Sequence, residues 1–306
     1  MKKPILSGFC LILKFLCYSQ AISPVSSFTP SILSLSAEQY SLYNHNLNAQ
    51  GSFLSQWSTI TDHPYYTNLG VSYIHDFRNE TKPETSLDIN SAAFGPFKNI
   101  ACSFSLGILK SIKRNKFGYR GGIQIAYEQT QLNTKQLVWS DPLSENTSFK
   151  GNNSVGFGYY LGAWYSLGNK RQNNVFIFTF ESSNQISKFL SKDKSSYHPF
   201  TGRYTLNYHL MQEDSRFSSL YQLDLDQNNK LVHLIAFKYY FPFKIYGGVL
   251  GTSTKSAGFE TGYYWTLNNA WDTSFDISYH YIHSLEEYGF SVGDSHQISL
   301  KCSGIF

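Results

Sequence analysis

From Trp271 to Tyr281 the chain alternates without a break. Trp271, Thr273, Phe275, Ile277, Tyr279 and Tyr281 are apolar, aromatic or β-branched, and Asp272, Ser274, Asp276, Ser278 and His280 between them are polar. Successive side chains of a strand point to opposite faces, so one face of this segment is greasy and the other wet. Its length is about the ~10 residues with which a tilted strand crosses a bilayer. The pattern recurs along the chain. Val155, Phe157, Tyr159, Leu161, Ala163, Tyr165 and Leu167 share one phase, as do Phe259, Thr261, Tyr263, Trp265 and Leu267, and Leu231, His233, Ile235, Phe237, Tyr239 and Phe241.

Polar breaks separate these runs at residues 79–83, 168–173, 226–230 and 268–269. The last two have the composition of hairpin turns, because Asn tolerates the left-handed backbone that tight turns need. From residue 40 onward the repeat predicts roughly 12 to 16 strands, an even number, with about fourteen expected. The fold class is therefore all-β, an antiparallel transmembrane β-barrel. The polar stretches 130–154 and 184–199 read as loops. Near the carboxy end Gln297 is followed by Ile298, Leu300, Cys302 and Phe306 in one apolar phase. That phase suits a last strand that closes on the first, since an open edge in lipid leaves backbone groups unsatisfied.

The first residues carry an export signal. Lys2 and Lys3 form a basic start, Ile5 to Leu16 a mostly apolar stretch, and Ser19-Gln20-Ala21 small residues of the kind a signal peptidase reads. Lys14 interrupts the apolar run and argues against a retained spanning helix. Cys10 and Cys17 follow Phe9 and Leu16, bulky residues that do not suit lipid attachment. The expected division is a signal peptide over 1–21 and an outer-membrane barrel domain over 22–306. No later apolar run approaches the ~18 residues of a membrane helix.

Composition agrees. Aromatic residues are 17% of the chain and charged residues only 15%, below the about 25% of an ordinary soluble domain. The formal charge of +4 owes three units to Lys2, Lys3 and Lys14, so the chain after cleavage is close to neutral and has no compositional case for binding nucleic acid. Past the signal, Cys102 and Cys302 remain, either as a disulfide or as two thiols that are buried or face lipid.

Chemistry-bearing motifs are weak. His280 and His283 lie three apart, which on a strand sends them to opposite faces and denies them a shared metal. Asp294-Ser295-His296 invites a hydrolase reading, but a catalytic group is assembled from residues distant in sequence. Gly121-Gly122 and Gly247-Gly248 lack the helix that a phosphate site requires and instead ease strand bending or close packing. No catalytic, cofactor-binding or metal-binding residues are expected. The candidates are inward-facing polar residues: Asp224, Glu260, Asp272, Asp276, His280 and Arg203. They serve either a solvated lumen or contacts to a plug or partner segment.

Two carboxy-terminal phrases, Ile277-Ser278-Tyr279-His280-Tyr281 and Asp294-Ser295-His296-Gln297-Ile298-Ser299-Leu300, resemble the PorP/SprF family of the type IX secretion and gliding machinery of Bacteroidota. Members end with a "YSYD"-like strand and a "GSHEI-x-L" strand, so Ser295, His296 and Gln297 fall on the second motif. Gln39 to Asn44 is similar to the opening "QFSQY", Gln56-Trp57 to the early "R-x-QW", Asp141-Pro142 to the central loop, and Gly258 to Tyr264 to "G-x-x-YR". The "NPAYAG" turn is replaced by Leu47 to Gly51, the Glu by Gln297, and the Arg by Trp265. The resemblance implies a non-enzymatic outer-membrane barrel that docks or delivers type IX cargo. Its implied partners are outer-membrane lipid, a cargo or adhesin carboxy-terminal domain, and periplasmic secretion components. A passive channel for small solutes is the alternative, and a lipid hydrolase a distant third.

Overall fold

A computed structural model describes residues 46–56, 65–75, 80–94, 97–112, 116–132, 152–168, 172–186, 201–212, 215–225, 231–253, 255–267, 272–285 and 294–305. The proposed signal, Gln39 to Asn44, Trp57, Asp141-Pro142, Trp271 and Phe306 lie outside them. The strands are β1 (Leu47–Ser55), β2 (Tyr65–Ile74), β3 (Thr81–Phe94), β4 (Phe97–Ile112), β5 (Phe117–Leu132), β6 (Asn152–Gly168) and β7 (Gln172–Ile186). They continue as β8 (Thr201–Gln212), β9 (Arg216–Leu225), β10 (Leu231–Tyr240), β11 (Ile245–Thr252), β12 (Ser256–Leu267), β13 (Thr273–Ser284) and β14 (Ser295–Gly304). Each pairs antiparallel with its neighbours, and β1 pairs with β14 from Leu47↔Gly304 to Ser55↔His296, so the fourteen strands form one closed barrel.

The alternation is built as the sequence predicts. On β13, Ile277 is 45% exposed on the outer wall while Ser278 and His280 are buried inside. On β6, Phe157, Tyr159, Leu161 and Tyr165 face out, and Tyr160 and Trp164 are buried within. The strands run longer than the sequence pattern suggested. Residues 130–132, 152–154 and 184–186 are strand, not loop. The break at 79–83 is also shorter, because β3 begins at Thr81 and Pro83 pairs opposite Ile108. Proline is tolerated there because the paired β2 ladder ends at Ile74↔Glu84, and one step beyond it Pro83 serves only as an acceptor, taking His75 N–H at 2.8 Å. Cys102 is exposed on the outer wall and Cys302 half-buried, and both are free thiols.

Glycines on the inner wall make room for large rings. Gly122 pairs with Tyr160 and Gly107 pairs with Gly122. A Cβ at Gly122 would lie 2.5 Å from the Tyr160 hydroxyl, and one at Gly107 2.0 Å from it. The tyrosine ring thus lies flat across two neighbouring strands. Trp164 covers Gly118 and Tyr246 covers Gly262 in the same way. The close-packing role read for Gly122 is met by Tyr160.

The longest connections, 133–151 and 187–200, leave from one end of the barrel. The start of β1 and the end of β14 lie at the other, with short connections such as 241–244. Outer-membrane barrels keep short turns on the periplasmic side and longer loops outside, which sets the orientation.

Two outcomes follow from this packing. Ile277→Lys places a charge on the lipid face, at a cost of about 2–4 kcal/mol near the midplane, and should lower the folded fraction in outer-membrane preparations. Ile277→Phe is the matched control, since Ser278 on the opposite face is only 3% exposed and has no room for a long side chain. Gly122→Val should displace the Tyr160 ring and destabilise the barrel by about 1–3 kcal/mol, read as a lower urea midpoint in heat-modifiable electrophoresis.

Candidate functional site

The interior is divided. In the half built by β2 to β8, Ile74, Leu109, Trp164, Val175 and Ile177 point inward and form one cluster with Met211, at the periplasmic level. Each of these five is at most 1% exposed. Inward side chains lining an open aqueous passage would be wet, and these are dry. In register with Ile74 and Leu109 respectively, Glu84 and Arg120 form an ion pair: Arg120 donates to Glu84 at 2.5 Å, and its guanidinium lies 5.0 Å from the centre of the Tyr160 ring. Both charged groups are buried, so each neutralises the other where water cannot.

The other half is polar. Lys238 on β10 reaches Glu260 on β12, at 2.6 Å to Oε1 and 2.5 Å to Oε2. His280 on β13 lies 3.5 Å from the same carboxylate and 3.1 Å from Ser278 Oγ. One layer nearer the periplasm, the Tyr246 hydroxyl donates to Asp276 at 2.6 Å, the Tyr246 and Tyr240 rings meet tilted at 4.7 Å between centres, and Arg216 lies 3.9 Å over the Tyr240 ring. Lys238, Glu260 and His280 also line a cavity, closed by Gln50, Gln297 and Lys301 from β1 and β14 and by Asn207, His209 and Gln222 from β8 and β9. The same cavity is therefore bounded from opposite sides of the strand ring, which shows how narrow the lumen is at that level.

Toward the outer end Arg203 holds Asp224 through two nitrogens, Nε at 2.9 Å and Nη2 at 3.3 Å, in direct register across β8 and β9. Gln222 donates to the same carboxylate at 2.8 Å. Hydroxyl and amide pairs complete the inner wall: Thr179 with Thr205, Ser86 with Ser105, and Asn68 with Asn90.

Of the residues singled out from sequence, Asp224, Glu260, Asp276, His280 and Arg203 lie on this inner wall, and the structure gathers Glu260 with His280 and Arg203 with Asp224. Asp272 does not join them. It precedes β13, is exposed, and has a positive φ of 39°. The alternation of the segment starts two residues before the strand, and Asp272 is a turn residue there, where Asp accommodates left-handed backbone. Lys238, Lys301, Arg120, Glu84 and Tyr246 were missed, because a single inward residue in a short run carries no periodic signal until its partner strand is known.

The carboxy-terminal motif is split by the pleat. Gln297 is buried inside and donates to Ser299 at 3.0 Å, while His296 faces out and bonds the Tyr279 hydroxyl at 2.6 Å. Ser295 opens β14 ahead of both. Asp294 accepts from Tyr281 and pairs with His283, each at 2.6 Å, and these bonds hold its carboxyl below its ordinary range. Gln56 follows β1 and is buried. His280 and His283 lie on opposite faces, and among the described residues no group of His, Cys, Asp and Glu could hold a metal.

A family model described as the type IX secretion system membrane protein PorP/SprF matches residues 39–302. The chain belongs to the PorP/SprF family. The PorP/SprF assignment and the closed barrel together support the outer membrane as its location, and the family ties it to the secretion machinery and its cargo in general terms. Comparison with curated proteins gives no match. Among solved structures, this PorP/SprF barrel is similar to the Pseudomonas putida toluene transporter TodX, at 9% identity over 92% of this chain and 94% of that one, with a TM-score of 0.49. It is also similar to a Pseudomonas aeruginosa FadL homologue (8% identity, 87% and 91% covered, TM-score 0.47) and to the NanC porin (13%, 85% and 100%, TM-score 0.42).

The buried pair gives a direct test. Arg120→Met alone should cost about 3–5 kcal/mol, because it removes the guanidinium that balances the buried Glu84 carboxylate, whereas Arg120→Met with Glu84→Leu should recover most of the loss. Urea titration of the refolded barrel followed by electrophoretic mobility measures both. Equal stability of the single and double variants would show that the pair is not dry.

Proposed function

We propose that this barrel is a non-enzymatic accessory of type IX secretion that docks or delivers particular surface proteins, adhesins among them, and works with periplasmic secretion components. It reaches the outer membrane through a cleaved signal over residues 1–21, with residues 22–306 as the barrel domain. The family match over residues 39–302 carries the reading. The interior supports it over a passive channel. The dry cluster of Ile74, Leu109, Trp164, Val175 and Ile177, together with the paired Lys238 and Glu260, suits a wall that packs or holds a segment better than one that conducts solutes. The inner-wall residues Asp224, Glu260, Asp276 and His280 are the proposed contacts for that segment. The family-motif residues Gln56, Ser295, His296 and Gln297 help to build the outer end of the β1–β14 closure that presents it.

Deleting the chain should leave outer-membrane integrity intact and strip one or a few specific proteins from the cell surface, as read by comparing surface proteomes of wild type and deletion strain. A channel forecasts the reverse: an unchanged surface proteome, loss of small-solute uptake, and steady conductance of the purified barrel in planar bilayers. Unaltered display of every surface protein would sink the docking reading.

A further inference from the structure

The barrel wall is not equally tall all round. β11 has 8 residues, against 16 in each of β4 and β5 and 17 in β6. No connection extends it. At its inner end Phe241 N–H bonds Ile245 O at 2.9 Å and Lys244 N–H bonds Phe241 O at 3.2 Å, closing a tight turn. At its outer end only residues 253–255 separate it from β12. Lys244 and Lys255, with φ of 67° and 55°, stand exposed in the two turns and mark where the wall meets polar surroundings.

Polar groups on the outer wall fix the upper level independently. On β10, His233 faces outward, bonds the Tyr221 hydroxyl at 2.8 Å, and lies level with the outer turn of β11, since its backbone carbonyl accepts from Ser253 N–H at 2.9 Å. On β13, His283 with its Asp294 partner pairs opposite Ala257, just beyond the same turn. Below this rim the outward row on β10 is Ile235, Phe237, Tyr239 and Phe241, and on β11 Ile245, Gly247, Val249 and Gly251. At about 3.3 Å per residue and a tilt of about 40°, each row is about 15 Å high. On β5 the outward row between Lys116 and Gln129 runs from Phe117 to Tyr127, about 25 Å by the same conversion and equal to the apolar band of an outer-membrane barrel. Phe243, 63% exposed at the tip of the inner turn, and Phe241 beside it supply aromatic anchors at the inner interface.

The geometry points to a locally thinned outer membrane along β10 and β11, with lipid acyl chains as the occupant of that wall. A hydrophobic surface shorter than the bilayer is met by thinning of the lipid, and the thinned sector faces only one side of this barrel. Lipid is favoured as occupant because the outward row of β11 from Ile245 to Gly251 carries no polar side chain, while aromatic anchors sit at the level of the headgroups. The inference is independent of which cargo, if any, the barrel serves.

Depth-resolved quenching tests it. The full-length chain with Cys10→Ala, Cys17→Ala, Cys102→Ala and Cys302→Ala would carry an environment-sensitive fluorophore at Val249→Cys or Ile123→Cys, both exposed mid-strand positions. It would be reconstituted in phosphatidylcholine vesicles brominated either near the chain end or near the glycerol. At Ile123 the deep bromines should quench several-fold better than the shallow ones, whereas at Val249 the two should quench about equally, because the label lies close to both headgroup levels. Deep-dominated quenching at Val249 matching that at Ile123 would show an even bilayer and overturn the proposal. Shielding of Val249 from both bromines would also overturn it, by placing a protein surface such as a second copy on β11.

Discussion

Lipid offers no hydrogen bonds, and every other feature of this molecule follows from that constraint. Each backbone N–H and C=O within the membrane must find its partner in another strand, and a row of strands satisfies this only when the last pairs with the first. The β1–β14 register from Leu47↔Gly304 to Ser55↔His296 is that closure. Once it is made, each strand has one face toward lipid and one toward the interior. The alternation of aromatic and polar residues is the chemical record of those two solvents.

The interior then has its own problem, because a polar inner face in a narrow lumen is only partly wet. The wall meets it in two ways. At the periplasmic level between β2 and β8, apolar side chains and the Glu84–Arg120 pair exclude water. Elsewhere on the wall charges, hydroxyls and amides satisfy one another across neighbouring or next-neighbouring strands. Glycines make the first arrangement feasible, since Tyr160 and Trp164 can lie along the wall only where Gly107, Gly122 and Gly118 leave out a side chain. An interior so filled fits a protein that holds its shape for a partner, the role proposed for this PorP/SprF member.

Much of the fold was legible in the residues, and the reason is local. Alternation such as Val155 to Leu167 depends only on the pleat, so it shows strand, facing and membrane contact without knowledge of any neighbour. The same locality explains the misses. Asp272 continues the polar phase of β13 yet lies in the turn, because periodicity does not mark where hydrogen bonding stops. Pro83 reads as a break and sits inside β3, because the end of the β2 ladder is a property of the pair and not of either strand.

The sequence by itself determined that this chain is a barrel, which residues meet lipid, and, through motifs spread along its length, the family to which it belongs. Only the tertiary structure decided that Lys238 meets Glu260, that Arg203 meets Asp224, that Tyr160 lies over glycines of two other strands, and that the wall is short at β11. Facing is set by bonds between adjacent residues, which the order of the chain fixes. Partnership across strands is set by register, and register is an outcome of closing the whole ring at once.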